Sequence, residues 1–268
     1  MRASAESTSD SEDILFDLQD GIARVTFNRP QSRNAFTFAM YERLAEICRE
    51  LDRTGSARAM ILTGAGDKAF AAGTDISQFR SFSTPEDAIG YEERGGAVIS
   101  VLEQCRVPTI AAIAGACTGG GAAIAAACDL RIAAGNAKFG LPIARTLGNC
   151  LSMDAYARFA ALIGPARLKE IIFTARLVEA DEAKAIGLVH EVVPDVAELL
   201  PRAEAVARLV ASHAPLTLRA TKEALHRLRP KVEPGADRDI ILSCYMSEDF
   251  REGMDAFLNK RQPQWRGR

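Results

Sequence analysis

"PTIAAIAGACTGGGAAIAAACDLRIAAGNAKFG", residues 108–140, joins an apolar run to three consecutive glycines and then to a stretch of strong helix formers. "VPTIAAIAG" reads as a buried strand, and "CDLRIAAGNAKFG" as two short strands around Gly135-Asn136. Glycines at 119–121 let the backbone turn sharply between strand and helix. They also leave its N–H groups uncovered at a helix start, where negative charge is favoured. The phosphate-loop readings fail on residues: a Walker loop needs Lys then Ser or Thr after its last glycine, where Ala122-Ala123 stand, and a GxGxxG fingerprint breaks at Ile124. Close helix packing is the plainer use of such glycines.

Outward from this stretch the same alternation continues. "ILFDLQDGIARVTFN" (14–28) is two short strands around Asp20-Gly21, a hairpin turn. "TFAMYERLAEICRELDR" is an amphipathic helix with Tyr41, Leu44, Cys48 and Leu51 on one face, Thr37 as N-cap and Gly55 beyond its end. "ARAMILTGAG" is a further strand. Strands alternating with helices predict an α/β core with largely parallel pairing. After residue 193 the patterns are helical, and the apolar faces of that region need the core or another subunit as partner.

The chain has 268 residues, 48% of them hydrophobic and 25% charged, which suits one globular core with a smaller appendage. A formal net charge of −2 gives no basic face for nucleic acid or an anionic membrane. No apolar run approaches the ~20 residues of a transmembrane helix. The polar, acidic "MRASAESTSDSED" is unlike a targeting peptide and reads as a disordered tail on a cytoplasmic protein. Six cysteines without a CxxC and three scattered histidines give no zinc pattern, so no metal is expected. A second glycine turn, "DKAFAAGTDIS" (67–77), follows the strand "AMILTG". If its Thr74 N–H and the Gly120 N–H converge, they form an oxyanion hole.

"RPQSRNAF", "AMILTGAGDKAFAAGTDIS", the 108–140 stretch, "ARLVEADEAKAIGLVHEVV" and "REGMDAFLNKRQP", in this order, resemble the crotonase (enoyl-CoA hydratase/isomerase) superfamily over roughly residues 12–265. The resemblance implies a crotonase-like ββα spiral core over 13–200, after the tail of 1–12, with a C-terminal helical trimerisation region over 201–268. It implies a homotrimer or dimer of trimers and an acyl-CoA substrate. CoA is then part of the substrate and no separate cofactor is expected. Its shared chemistry is stabilisation of a thioester enolate, here by the backbone N–H groups of Thr74 and Gly120. For the CoA and acyl parts it points to Arg29, Arg33, Ala35, Ala72, Asp75, Ile76 and Lys260, the last from a neighbouring subunit in one arrangement. Arg145 falls where family substrates approach the reacting centre.

The family's hydratases carry one glutamate in GGGxE and another in FGxPE. Here those positions hold Ala123 and Ile143, neither of which transfers protons, so isomerase-type or other atypical chemistry is favoured over two-glutamate hydration. A non-catalytic acyl-CoA-binding subunit and an atypical hydratase are the alternatives. Isomerases and dehalogenases of the superfamily place a carboxylate near "GLPIARTLGNCLSMD". With one residue deleted Cys150 falls there, as a lowered-pKa thiol or else a packed one, and without the deletion Leu151 does. Asp154 is the nearest carboxylate, unless it serves only as a first-turn helix charge. Glu92 and Glu93 offer a base from the opposite side, Tyr91 and Tyr156 offer hydrogen-bond donors, and His190 reads as a core or edge residue.

Overall fold

The computed structural model describes residues 13–230 and 232–268. The tail assigned to 1–12 lies outside the described residues. Asp20 and Gly21 have φ of 51° and 75°, positive at both central positions as a two-residue hairpin turn requires. Strand β1 (Ile14–Gln19) therefore folds back antiparallel on β2 (Ile22–Phe27). Helix α1 (Phe38–Thr54) starts where the Thr37 side chain accepts from the Met40 N–H and stops at Gly55, φ 63°. Its buried stripe of Tyr41, Leu44, Cys48 and Leu51 turns toward the core.

The chain then repeats one unit. Strand β3 (Ala59–Gly64) and β4 (Ala69–Ala71) lead to α2 (Pro85–Gln104); β5 (Thr109–Ile113) and β6 (Ala116–Thr118) lead to α3 (Gly120–Ala127); β7 (Leu130–Ala134) and β8 (Lys138–Gly140) lead to α4 (Ile143–Thr146). The first strand of each unit enters a six-stranded sheet, β1-β2-β3-β5-β7-β10, and the second enters a four-stranded sheet, β4-β6-β8-β9. Beyond α4 come α5 (Met153–Ile163), α6 (Pro165–Thr174), β9 (Val178–Glu179), α7 (Ala180–Ala185) and β10 (Glu191–Val193). The large sheet is parallel except for the β1–β2 hairpin, and the small one except for β8–β9. This is the expected ββα spiral. The two strands flanking Gly135-Asn136 do not pair with each other; one belongs to each sheet.

The main core lies between the two sheets and α1, α2 and α3, with Phe27, Phe36, Phe70 and Leu102 fully buried. The outer face of the large sheet is covered by α8 (Val196–Ala211), whose Leu199, Ala203 and Ala207 close on Ile61, Ile110 and Ile132. This helix carries the chain across residue 200 without a break. Helices α9 (Pro215–Leu228), α10 (Arg238–Tyr245) and α11 (Glu248–Leu258) complete the C-terminal region. Among the described residues no helix is long and apolar enough to cross a membrane.

Two of the three clustered glycines are required here, one by contact and one by its turn. A Cβ on Gly121 would lie 2.1 Å from the Ala71 carbonyl oxygen and 2.7 Å from the Ala71 Cβ, so only Gly lets α3 press against β4. Gly121→Ala is expected to destabilise the fold by about 1–3 kcal/mol through overpacking, read as a lower midpoint in denaturant unfolding. Gly119, at φ 52°, makes the turn itself.

Candidate active site

The loops after β4 and β6 bring Thr74 and Gly120 side by side. A Cβ on Gly119 would lie 3.5 Å from the Gly73 Cα, and one on Gly73 would lie 3.9 Å from the Gly120 nitrogen. Gly73 has φ 107°, which an L side chain rarely adopts. Residues on either side of Thr74 are anchored: the Gly73 carbonyl accepts from the Phe36 N–H (2.8 Å), and the Asp75 N–H donates to the Phe36 carbonyl (2.8 Å). Gly120 opens α3, where a helix has no internal acceptor for its first N–H groups. The two sequence-selected amides thus stand on facing loops, with the positive end of α3 behind one of them.

Facing them are groups that the glycine motifs do not announce. Thr74 Oγ1 lies 3.0 Å from Tyr41 Oη and 3.0 Å from Tyr91 Oη. Tyr41 comes from α1, where the sequence shows it only as part of an apolar stripe. One residue past Tyr91 on α2, Glu92 accepts from the Tyr245 hydroxyl of α10 at 2.5 Å. Burial pushes the Glu92 carboxyl up, assisted by the field of Asp237, while the bonds from Tyr245 and the Ser152 N–H hold it down, so it settles at about 7. That value suits a group that both takes and returns a proton near neutral pH. Glu93 points to solvent instead.

Asn149 Nδ2 donates to Tyr245 Oη (3.3 Å), extending the chain from Glu92, and its Oδ1 is buried with no partner among the described residues. Tyr245 and Asn149 escaped the sequence reading because nothing local marks them; only the docking of α10 on α2 brings them in. The walls are apolar, formed by Phe79, Ile89, Leu147 and Phe250 with Ile76 packed against them. Ala123 and Ile143 add only aliphatic surface to the core.

Cys150 lies in that same wall. Its thiol faces the Ile240 carbonyl at 3.7 Å, and the bond it shares with Cys244, together with burial, pushes it up. This corrects the expectation of a lowered-pKa thiol: among the described residues no cation is a cause of its shift, and the side chain packs as a small hydrophobe. Asp154 is likewise redirected. It pairs with Arg158 (2.7 Å) and Arg229 (3.0 Å), which also bind Glu103, so it ties α2, α5 and the end of α9 together. Both of its oxygens are engaged by guanidinium groups, so it serves as a structural tie between these helices. Tyr156 receives the Leu151 N–H, and His190 takes the Arg131 N–H on Nδ1 at the sheet edge.

The other selected residues spread along the loops. Arg29 is a positioning group: it reaches the Ala35 carbonyl (2.6 Å), Asp75 (3.1 Å) and Asp13 (3.4 Å), bracing the Thr74 loop rather than facing solvent as a free cation. Burial pushes the Asp75 carboxyl up, but its bonds from Ser77 and Arg29 outweigh that and hold it below the usual range. The Arg33 carbonyl accepts the Ala72 N–H (3.0 Å), fixing the second glycine turn, while its side chain is exposed. Ile76 starts the short turn that Asp75 caps. Arg145 is exposed at the end of α4 and Lys260 is exposed past α11; neither makes an ion pair among the described residues.

The family model for enoyl-CoA hydratase/isomerase matches residues 17–268. The chain belongs to this family. A short-chain-enoyl-CoA hydratase of Clostridium acetobutylicum is 34% identical over 252 residues, covering 93% of this chain and 95% of the relative. A crotonyl-CoA hydratase of Syntrophomonas wolfei is 34% identical over 254 residues, 94% of this chain and 96% of its own. Among solved structures, an enoyl-CoA hydratase/carnithine racemase from Magnetospirillum magneticum superposes with a TM-score of 0.76 at 35% identity, covering 96% of each chain. A methylmalonyl-CoA decarboxylase in complex with 2-nitronate-propionyl-CoA superposes with a TM-score of 0.85 at 28% identity, covering 95% of this chain and 98% of that one. As a member of the enoyl-CoA hydratase/isomerase family, the chain keeps the family's two glycine loops while presenting alanine and isoleucine at 123 and 143.

Proposed function

We propose that this enoyl-CoA hydratase/isomerase family member forms a thioester enolate from an acyl-CoA and uses it to shift a double bond. The thioester oxygen sits between the Thr74 and Gly120 N–H groups, and Glu92 carries the proton. In a 3-enoyl thioester, Glu92 takes a proton from C2 and the electron pair moves into the carbonyl, leaving a dienolate whose oxygen is held by the two amides. Protonated Glu92 then returns its proton at C4, and the double bond emerges between C2 and C3. The charge that develops on oxygen meets donors that are already in place, which is where such a site gains rate.

The single observation that carries this reading is Glu92, a carboxyl held by the Tyr245 hydroxyl at 2.5 Å and near enough for its charge to act on Tyr41 and Tyr91, the two phenols bonded to Thr74. Two-glutamate hydration is disfavoured by Ala123 and Ile143. A second reading, decarboxylation of a carboxylated acyl thioester, is favoured by the likeness to the methylmalonyl-CoA decarboxylase. It needs the hole and a proton donor but no base. A 3-enoyl-CoA incubated with pure protein is expected to give the 2-enoyl-CoA, seen by its conjugated absorbance. Loss of carbon dioxide from a carboxylated thioester, without that isomerisation, favours the second reading; binding of CoA esters without turnover of either favours a non-catalytic subunit. For assembly, a homotrimer or dimer of trimers is supported by α9, whose Leu216, Leu225 and Leu228 stand 77%, 63% and 79% exposed. The exposed Arg33, Arg145 and Lys260 are the cations free to meet CoA phosphates or a substrate carboxylate.

A further inference from the structure

Three hydroxyls, those of Tyr41, Thr74 and Tyr91, are linked by two hydrogen bonds of 3.0 Å that meet at Thr74 Oγ1. Each hydroxyl has one proton. Whichever way the two bonds run, they use two protons, and one O–H is left pointing out of the chain. Burial pushes Tyr41 up to about 12 and Tyr91 well above the usual phenol value, so the count holds throughout the neutral range.

Among the described residues the three hydroxyls have no hydrogen-bond partner beyond one another. Phe36 packs 4.9 Å from the Tyr41 ring, and Phe79, Phe38 and Phe82 pack 4.7, 5.8 and 5.8 Å from Tyr91. Glu92 is bonded to Tyr245 and the Ser152 N–H instead. A half-buried donor flanked by aromatic rings is met by water in the free protein and by an acceptor on the ligand when the site is filled. Its place is fixed by Gly120: a Cβ there would lie 2.2 Å from Tyr41 Oη and 3.1 Å from Thr74 Oγ1. The triad therefore borders the oxyanion hole on the side toward Glu92.

We propose that the Tyr41–Thr74–Tyr91 triad is a specificity-determining donor for a second oxygen on the acyl chain, close to the thioester, so that the substrate is an oxygenated acyl-CoA carrying a carbonyl, hydroxyl or carboxylate. This rests on the thioester oxygen occupying the Thr74–Gly120 hole. An acyl chain without that oxygen leaves the donor unpaired in the bound complex, and a site built around a polar partner discriminates strongly against such an analogue.

Acetoacetyl-CoA and butyryl-CoA have the same chain length and differ by the oxygen on C3. Calorimetric titration of the wild-type protein is expected to give a Kd at least about tenfold lower for acetoacetyl-CoA. The Tyr41→Phe/Tyr91→Phe double variant, checked for an unchanged melting curve, is expected to bind the two esters nearly equally, chiefly by losing affinity for acetoacetyl-CoA. Equal wild-type affinities overturn the proposal without any variant. An equal loss for both esters in the double variant also overturns it, since the proton then serves the thioester oxygen. If neither ester binds wild-type protein, the acyl-CoA reading itself has failed and this proposal with it.

Discussion

Glu92→Gln is expected to lower kcat on a 3-enoyl-CoA by about 10²–10⁴-fold, the usual contribution of a positioned acid/base group, with little change in the Kd of a saturated acyl-CoA. The variant keeps the shape and the Tyr245 bond but removes the proton carrier. In the wild type, kcat should fall as pH drops through about 7, because the carboxylate form is the base that starts the reaction. The same group makes a separate prediction about stability. Its carboxyl is raised from the ordinary 4.5 to about 7 on folding. The stabilisation from keeping it protonated is therefore fully present below pH 4.5 and is lost as pH rises through 7. At pH 8 the buried charge costs on the order of 2–3 kcal/mol relative to a neutral group. Glu92→Gln should then raise the unfolding midpoint at pH 8 and leave it nearly unchanged at pH 4. Absence of that pH-dependent gain would place the Glu92 carboxyl in solvent, and an undiminished kcat would place it away from the chemistry.

Thr74→Pro carries the second large effect. Proline deletes the N–H, and the hydroxyl with it, while leaving the neighbouring Gly73 and Asp75 anchors to Phe36 available, so its effect is read against Thr74→Val, which removes the hydroxyl alone. Loss of one oxyanion-hole donor costs about 10²–10³-fold in kcat. If the chain is an enzyme, turnover collapses by that factor and ester affinity drops far less. A binding subunit loses only part of its affinity and has no turnover to lose. Steady-state kinetics and titration on the same preparation separate the two.

The parts of this molecule that local chemistry dictates are legible in its sequence. Asp20-Gly21 specifies the hairpin, Thr37 and Gly55 bound α1, and the glycines at 73 and 119–121 occupy turns and contacts that other residues fit badly. Both amides of the proposed hole belong to this class, since a backbone donor is placed by the turn that carries it. The acid/base machinery is not local. Tyr41 sits in an apolar stripe, Tyr245 lies in an unremarkable helix, and Asn149 lies next to a more conspicuous cysteine; what unites them is the docking of α1, α2 and α10 around one space. Cys150 and Asp154 attracted attention by position along the chain. Their surroundings, a neighbouring thiol and a carbonyl for one and two arginines for the other, decide against proton transfer. Glu92 had only its place on α2 to recommend it, and its burial could not be read from "YEERGG".

The most direct test of the account is hydrogen exchange in deuterium oxide with butyryl-CoA, a thioester that offers an α-proton but no double bond to move. Wild-type protein should introduce solvent deuterium at the α-carbon, observed by mass spectrometry or by loss of the α-proton resonance. Glu92→Gln should abolish most of that exchange while still binding the ester. Exchange that persists undiminished in Glu92→Gln would contradict the assignment of Glu92 as the base, and no exchange by a wild-type protein that binds the ester would contradict enolate formation by proton abstraction.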